Sequence, residues 1–139
     1  MAENSKQKKD GRPIVCGTDF SATAIEAVDI AAEMARRLDV KLLLLHVEEF
    51  RGLAATEPSL FEAIVSKNRE ELHHEAARLR EMGTLIEERL LSGSVFNEIV
   101  DAAAESNAQL IVVGAVGHGV ARRLLVGSVA ERVALVTMY

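Results

Sequence analysis

The sequence predicts an α/β fold: an open, mostly parallel, doubly wound sheet with helices on both faces. Three observations carry this. Short, continuously apolar runs recur along the chain, as strands buried on both faces require. Segments of a dozen or more residues with apolar positions three and four apart separate them, as amphipathic helices require. Gly, Ser and Pro stand at the boundaries between the two patterns. Strands alternating with helices imply right-handed βαβ units and a parallel sheet.

Taken in order, "PIVCGT" (residues 13–18) is a short apolar run bounded by Pro and Gly and reads as a buried strand. Ser21 can cap a helix over 22–38, where Ile25, Val28, Ala32 and Ala35 define one apolar face. "VKLLLLHV" (40–47) is apolar on both faces and too short for a helix, hence a central strand. Residues 48–57 read as a polar loop. Pro58 opens a long helix to about Met82, with Leu60, Phe61, Ile64, Val65, Leu72, Ala76 and Leu79 inward and Gly83 ending it. "TLIEERLL" is a third, less apolar strand near an edge, and Gly93 and Ser94 lead into a helix from about Val95 to Ser106 with Phe96, Ile99, Val100 and Ala103 inward. "AQLIVVGA" is the fourth strand, followed by a Gly-rich loop and a last helix from Gly127–Ser128. A fifth, C-terminal strand is expected to be missing or truncated. The run "GSVAERV" leads straight into "ALVTMY" with no Gly or Pro between, and a parallel crossover needs a dozen or more residues.

With 139 residues, 49% of them hydrophobic and 27% charged, the chain has globular composition and the length of one ordinary domain. The expected organisation is a disordered polar tail over 1–12, including Lys6, Lys8 and Lys9, and a single domain over 13–139. Aromatics are 4% and Trp is absent, so Leu, Ile, Val and Ala must build the core. No apolar run approaches the roughly 18 residues of a membrane span. The start lacks the apolar stretch of a signal peptide. Cys16 is the sole cysteine, which excludes an internal disulfide and fits a reducing cytoplasm. A formal net charge of −5 argues against nucleic acid as a partner.

The chemistry lies in "GAVGHGVARRLLVGS" (114–128), which holds four glycines. A P-loop needs Gly-Lys before Ser or Thr, and no Gly-Lys pair exists. A dinucleotide fingerprint needs G-x-G-x-x-G, but Arg122 stands where its last glycine would be. What remains is Gly114-x2-Gly117-x9-Gly127-Ser128. Gly114 and Gly117 permit positive φ and close approach of the backbone to a ligand. Gly127 and Ser128 offer N–H groups and a hydroxyl at a helix start, where the dipole favours anions. The loop is equally open to a plainer reading, as a flexible connection before an ordinary N-cap. Open sheets of this kind bind ligands outside the carboxyl ends of their strands. There "GTDFS", "HVEE" and the Gly-rich loop should converge.

The spacing G-x2-G-x9-G-[ST], with "GTDFSATAIEAVDIAAEMA", "LLLLHV" and "AQLIVVGAVGHGVARRLLVGSVAERV", resembles the universal stress protein family over about residues 12–133. The resemblance implies a bound adenine nucleotide, usually ATP. Asp19 would contact the ribose with Thr18 beside it, and Val47 would contact adenine through its backbone. Gly114, Gly117, Gly127 and Ser128 would take the phosphates, with Val129 following. Mg²⁺ would bridge phosphate oxygens, since no dedicated carboxylate cage is evident. Asp19 also reads as a residue interacting with the helix dipole, and Val47 as a core residue.

His118 lies inside the loop, where it could reach a phosphate, and also reads as an exposed loop histidine; Arg122 and Arg123 could supply charge to the γ-phosphate and read more simply as a solvated pair. His73 and His74 are adjacent on a helix and lack metal-ligand spacing, Cys16 reads as a small buried hydrophobe, and His46 as a packing residue near the site. No nucleophile–base pair is evident. The expected function is therefore an ATP-binding regulatory module whose nucleotide alters a homodimer or an unidentified protein partner, with at most slow ATP hydrolysis. The alternatives are a non-binding interaction protein of the same fold and a slow ATP hydrolase. Family members commonly dimerise through the last strand, so its expected loss puts the usual dimer in doubt.

Overall fold

The computed structural model of the chain describes residues 11–49, 51–114 and 134–138. The elements in chain order are β1 (Ile14–Gly17), α1 (Ala22–Leu38), β2 (Leu42–Glu48), α2 (Arg51–Thr56), α3 (Pro58–Glu81), β3 (Ile86–Ser92), α4 (Val95–Ser106), β4 (Leu110–Gly114) and β5 (Ala134–Met138). They form one sheet in the order β3-β2-β1-β4-β5, and every neighbouring pair is parallel.

Local chemistry explains the helix ends. Ser21 takes extended backbone angles and its hydroxyl accepts the Ala24 N–H at 3.2 Å, satisfying a donor with no partner inside α1. Asp39, in the left-handed region, closes the other end. Pro58 starts α3, and Gly83, at φ +93°, carries the chain out of it.

The strands alternate cleanly between two cores. Ile14, Cys16, Leu42 and Leu44 face Val28, Ala32 and Ala35 of α1 and Leu72, Ala76 and Leu79 of α3. Val15, Leu43, Leu45, Val47, Ile111 and Val113 face Ile99 and Ala103 of α4. Leu42, Leu43, Leu44 and Leu45 are each 0–1% exposed. Burying each side chain to that extent contributes roughly 1.5–3 kcal/mol.

Four expectations need correction. The fifth strand is present: Ala134–Met138 pairs in parallel with β4 from Leu110↔Ala134 to Gly114↔Met138. The crossover that feeds it begins after Gly114, not at the helix start at Gly127, so the chain has the length that a parallel connection needs. Residues 48–57 are not wholly loop, because Arg51–Thr56 forms the one-and-a-half-turn helix α2. Ile25 lies off the buried face of α1, 39% exposed, while the alanines at 24, 27, 31, 32 and 35 pack on the sheet. Small side chains let that helix sit close, which rotates the larger Ile25 outward. Leu60 is 50% exposed and Phe61, Ile64 and Val65 are half-buried, so only the second half of α3 joins the core.

Candidate functional site at the carboxyl ends of the strands

The strand order places β1 between β2, which follows it, and β4, which arrives from the far edge through α4. The order therefore reverses between β1 and β4. In open parallel sheets such a reversal point marks the ligand crevice at the carboxyl ends of the strands. The turn from β1 into α1 lines one side of it, and Gly114 lies at the other.

That turn is built from short polar links. Thr18 N–H donates to the Leu45 carbonyl at 2.8 Å, extending the ladder one residue past β1. The Thr18 hydroxyl oxygen accepts the Phe20 N–H at 3.0 Å, and Asp19 Oδ1 accepts the Ser21 N–H at 3.0 Å. Phe20 adopts φ +67°, a region that a bulky side chain occupies only under restraint. The result presents Asp19, exposed, at the amino end of α1.

Partial burial disfavours the Asp19 charge. Interactions with the Ser21 hydroxyl and N–H, and the field of His46, outweigh it, so the carboxyl is held below its ordinary value of 3.8. It is thus ionised at neutral pH, suited to accepting hydrogen bonds from hydroxyl groups and unsuited to sitting against a phosphate.

Gly114 ends β4 against the first turn of α1. A Cβ there would lie 3.1 Å from the Thr23 carbonyl oxygen and 3.2 Å from its carbon. Glycine is needed for this close approach, which brings the β4 terminus beside the helix start and the Asp19 turn. Val47, one strand away in β2, is 9% exposed, and its side chain belongs to the core beneath α4. The structure thus brings Thr18, Asp19 and Gly114 to one crevice and leaves Val47 to contribute only through its backbone. Gly117, His118, Arg122, Arg123, Gly127, Ser128 and Val129 lie outside the described residues, as does the helix expected from Gly127.

Sequence reasoning took His46 for a packing residue and did not read the polar cluster that it forms beside the turn. His46 Nδ1 lies 2.8 Å from the Thr18 carbonyl oxygen, and Phe20 stacks on the imidazole with centroids 4.7 Å apart. Glu48 is 2% exposed, and both its carboxylate oxygens accept from Asn68 Nδ2 on α3, at 2.9 and 2.8 Å. The signal was present in "LLLLHVE". Counted by twos, His46 and Glu48 follow Leu42 and Leu44 onto a buried face, where polar groups must find partners.

A second concavity of about 520 Å³ lies along α1 and α3, touching Phe20, Ile25 and Arg78. Glu71, Glu75 and Glu81 also line it, a negative rim that repels polyphosphate. No group of three or more His, Cys, Asp or Glu side chains arranged to hold a metal occurs among the described residues. No helix among them is long and apolar enough to cross a membrane.

Comparison with known proteins agrees with this fold. The model of the universal stress protein family matches residues 11–137. A universal stress protein from Methanocaldococcus jannaschii is 34% identical over 127 residues, covering 88% of this chain and 75% of its own. A crystal structure of a member of that family from Burkholderia pseudomallei superposes with a TM-score of 0.74 at 28% identity, covering 92% of this chain and 96% of its own. The universal stress protein from Archaeoglobus fulgidus, solved in complex with dAMP, superposes at 0.67 with 28% identity, covering 91% and 95%.

Proposed function

We propose that this chain, which belongs to the universal stress protein family, is an adenine-nucleotide-binding regulatory module that takes ATP with Mg²⁺ at the crevice between β1 and β4. The observation that carries the reading is that Asp19, linked to Ser21, and Gly114, packed against Thr23, both lie at the amino end of α1. A carboxylate and a close-packed glycine terminus there suit the two ends of a nucleotide, a hydroxylated sugar and a phosphate chain. The dAMP complex of the Archaeoglobus fulgidus relative supports the same ligand class.

Within this reading Asp19 accepts hydrogen bonds from the ribose, with Thr18 shaping the turn behind it. The Val47 backbone meets the base, and Gly114, Gly117, Gly127 and Ser128 receive the phosphates, with His118 and Val129 beside them. With Asp19 assigned to the ribose, Mg²⁺ would be held chiefly by phosphate oxygens, where it would offset their charge. The reading is of binding, with at most slow hydrolysis of the nucleotide. A cytoplasmic homodimer, whose contacts or partner surface respond to the nucleotide, completes the proposal.

Calorimetric titration of the nucleotide-stripped protein with ATP and Mg²⁺ tests it. Micromolar-range binding, lost in both Asp19→Ala and Gly117→Val, is expected. An unchanged affinity in Asp19→Ala would remove the ribose assignment, and absence of binding in the parent would overturn the reading.

A further inference from the structure

We infer that His46 is a positioning residue for the ligand site: lodged between the Thr18 carbonyl and the buried carboxylate of Glu48, it braces the turn that presents Asp19 and makes ligand affinity depend on a proton held between its ring and Glu48. The inference rests on the nucleotide reading above for its ligand and on the geometry for the brace.

The tautomer follows from the partners. A carbonyl oxygen only accepts, so Nδ1, 2.8 Å from the Thr18 carbonyl, must carry a hydrogen. A neutral ring then has a bare lone pair at Nε2, and that atom stands 3.6 Å from Glu48 Oε1. Lone pair against carboxylate is repulsive, and at 2% exposure little water reaches Glu48 to relieve it. One proton between Nε2 and Oε1 removes the conflict, whether it resides on the ring or on the acid.

The surroundings, among the described residues, supply no other remedy. Among the described residues, Glu48 has Asn68 as hydrogen-bond partner to its carboxylate and His46 as basic neighbour, and Asn68 is neutral. A buried carboxylate without a cation or a proton is strongly disfavoured. Among the described residues, the charged groups nearest the ring are Asp19 from the β1–α1 turn and Glu48 on β2; the groove that Phe20 lines brings Glu71 and Glu75 from α3 together with His74 and with Arg78, which pairs with Glu75. Leu90, the register partner of His46 on β3, is neutral.

The consequence for the site is mechanical. The ring fixes the Thr18 carbonyl at one edge and stacks on Phe20 across its face, so it holds both residues flanking Asp19. The restrained φ of +67° at Phe20 shows where holding is needed. Through Glu48 and Asn68 the brace is anchored on α3, and through the Glu48 carbonyl, which accepts the Gly93 N–H at 2.9 Å, on the turn before α4. Removing the proton puts Nε2 and Oε1 in opposition, and the turn gives way.

Two readouts test this on the intact protein. Long-range ¹⁵N–¹H correlation spectra at neutral pH, without ligand, should show the His46 Nδ1 protonated and Nε2 shifted away from the position of a free pyridine-like nitrogen. A free Nε2, or the opposite tautomer, overturns the inference. Calorimetry with Mg²⁺ and ATP from about pH 6 to about pH 8.5 should show affinity falling by about tenfold, the scale of one charge-assisted hydrogen bond. In Glu48→Gln, whose amide can donate to Nε2 at any pH, the fall should shrink to that of the ligand's own titration, which both proteins share. Equal pH profiles in parent and variant refute the coupling. Should the parent bind no nucleotide, the proposed function fails, and the brace stands or falls on the ring spectrum, which needs no ligand.

Discussion

Asp19 serves the fold and the proposed ligand with the same charge. Its oxygen accepts the Ser21 N–H, and the resulting preference for the ionised form lowers its pKa from 3.8. The sign of the pH dependence follows. The stabilisation is fully present above the unfolded value and is lost as pH falls through the lower folded one. In thermal melts the gap between the parent and Asp19→Asn should be constant from neutral pH down to about pH 5 and close below about pH 4. A gap that persists unchanged in stronger acid would mean that Asp19 acts through something other than its charge. Cys16 shows the opposite behaviour. Burial, aided by the Glu75 charge, pushes its thiol up to about 12, so at neutral pH it packs as a small apolar side chain. Its role as a small buried hydrophobe was readable from its place in "PIVCGT". The His46 contact was not, because nothing local says that the Thr18 carbonyl, 28 positions away, will face the ring.

At the scale of elements, legibility followed the range of the signal. Helix α1 begins and ends where its sequence says, since the Ser21 cap and the apolar spacing are both local. Its rotation was misread at Ile25 because close packing on the sheet rewards alanine, which a search for large apolar residues undervalues. Helix α2 was missed because six residues containing a glycine carry no period worth counting. The fifth strand was discounted because the connection was measured from the wrong starting point. Removing the cap tests the α1 argument. Ser21→Ala should cost about 1 kcal/mol, seen as a lower urea midpoint with an unchanged m-value. A cost near zero would assign the helix start to the Asp19 link instead. The two outcomes matter for function, since Ser21 and Asp19 hold the same turn.

At the scale of the molecule, the sheet is a graded structure. β1, the middle strand of the order, is paired on both sides, and Ile14, Val15 and Cys16 are fully buried. β3 has β2 on one side, and its residues are half-buried or exposed. Its charged side chains are satisfied locally: Glu87 accepts from Lys41 and Arg89, both at 2.7 Å, which holds its pKa low and blunts the strand against stray pairing. Local stability should therefore rise from β3 towards β1. In native-state hydrogen exchange, β1 amides should open only with global unfolding, whereas the β3 amides not paired to β2 should exchange early. Nucleotide adds a discriminating condition. A ligand clamped between β1 and β4 should slow exchange at residues 18–21 and at Gly114 while leaving β3 unaffected, because only the ends of β1 and β4 would lose their freedom. Uniform slowing across all five strands would instead report general stabilisation of the native state. Slowing confined to the α1–α3 face would move the ligand to the acidic groove, against the electrostatic argument. Protection that begins at the Thr18–Ser21 turn would tie ligand, crevice and brace into one unit at the point where the strand order reverses.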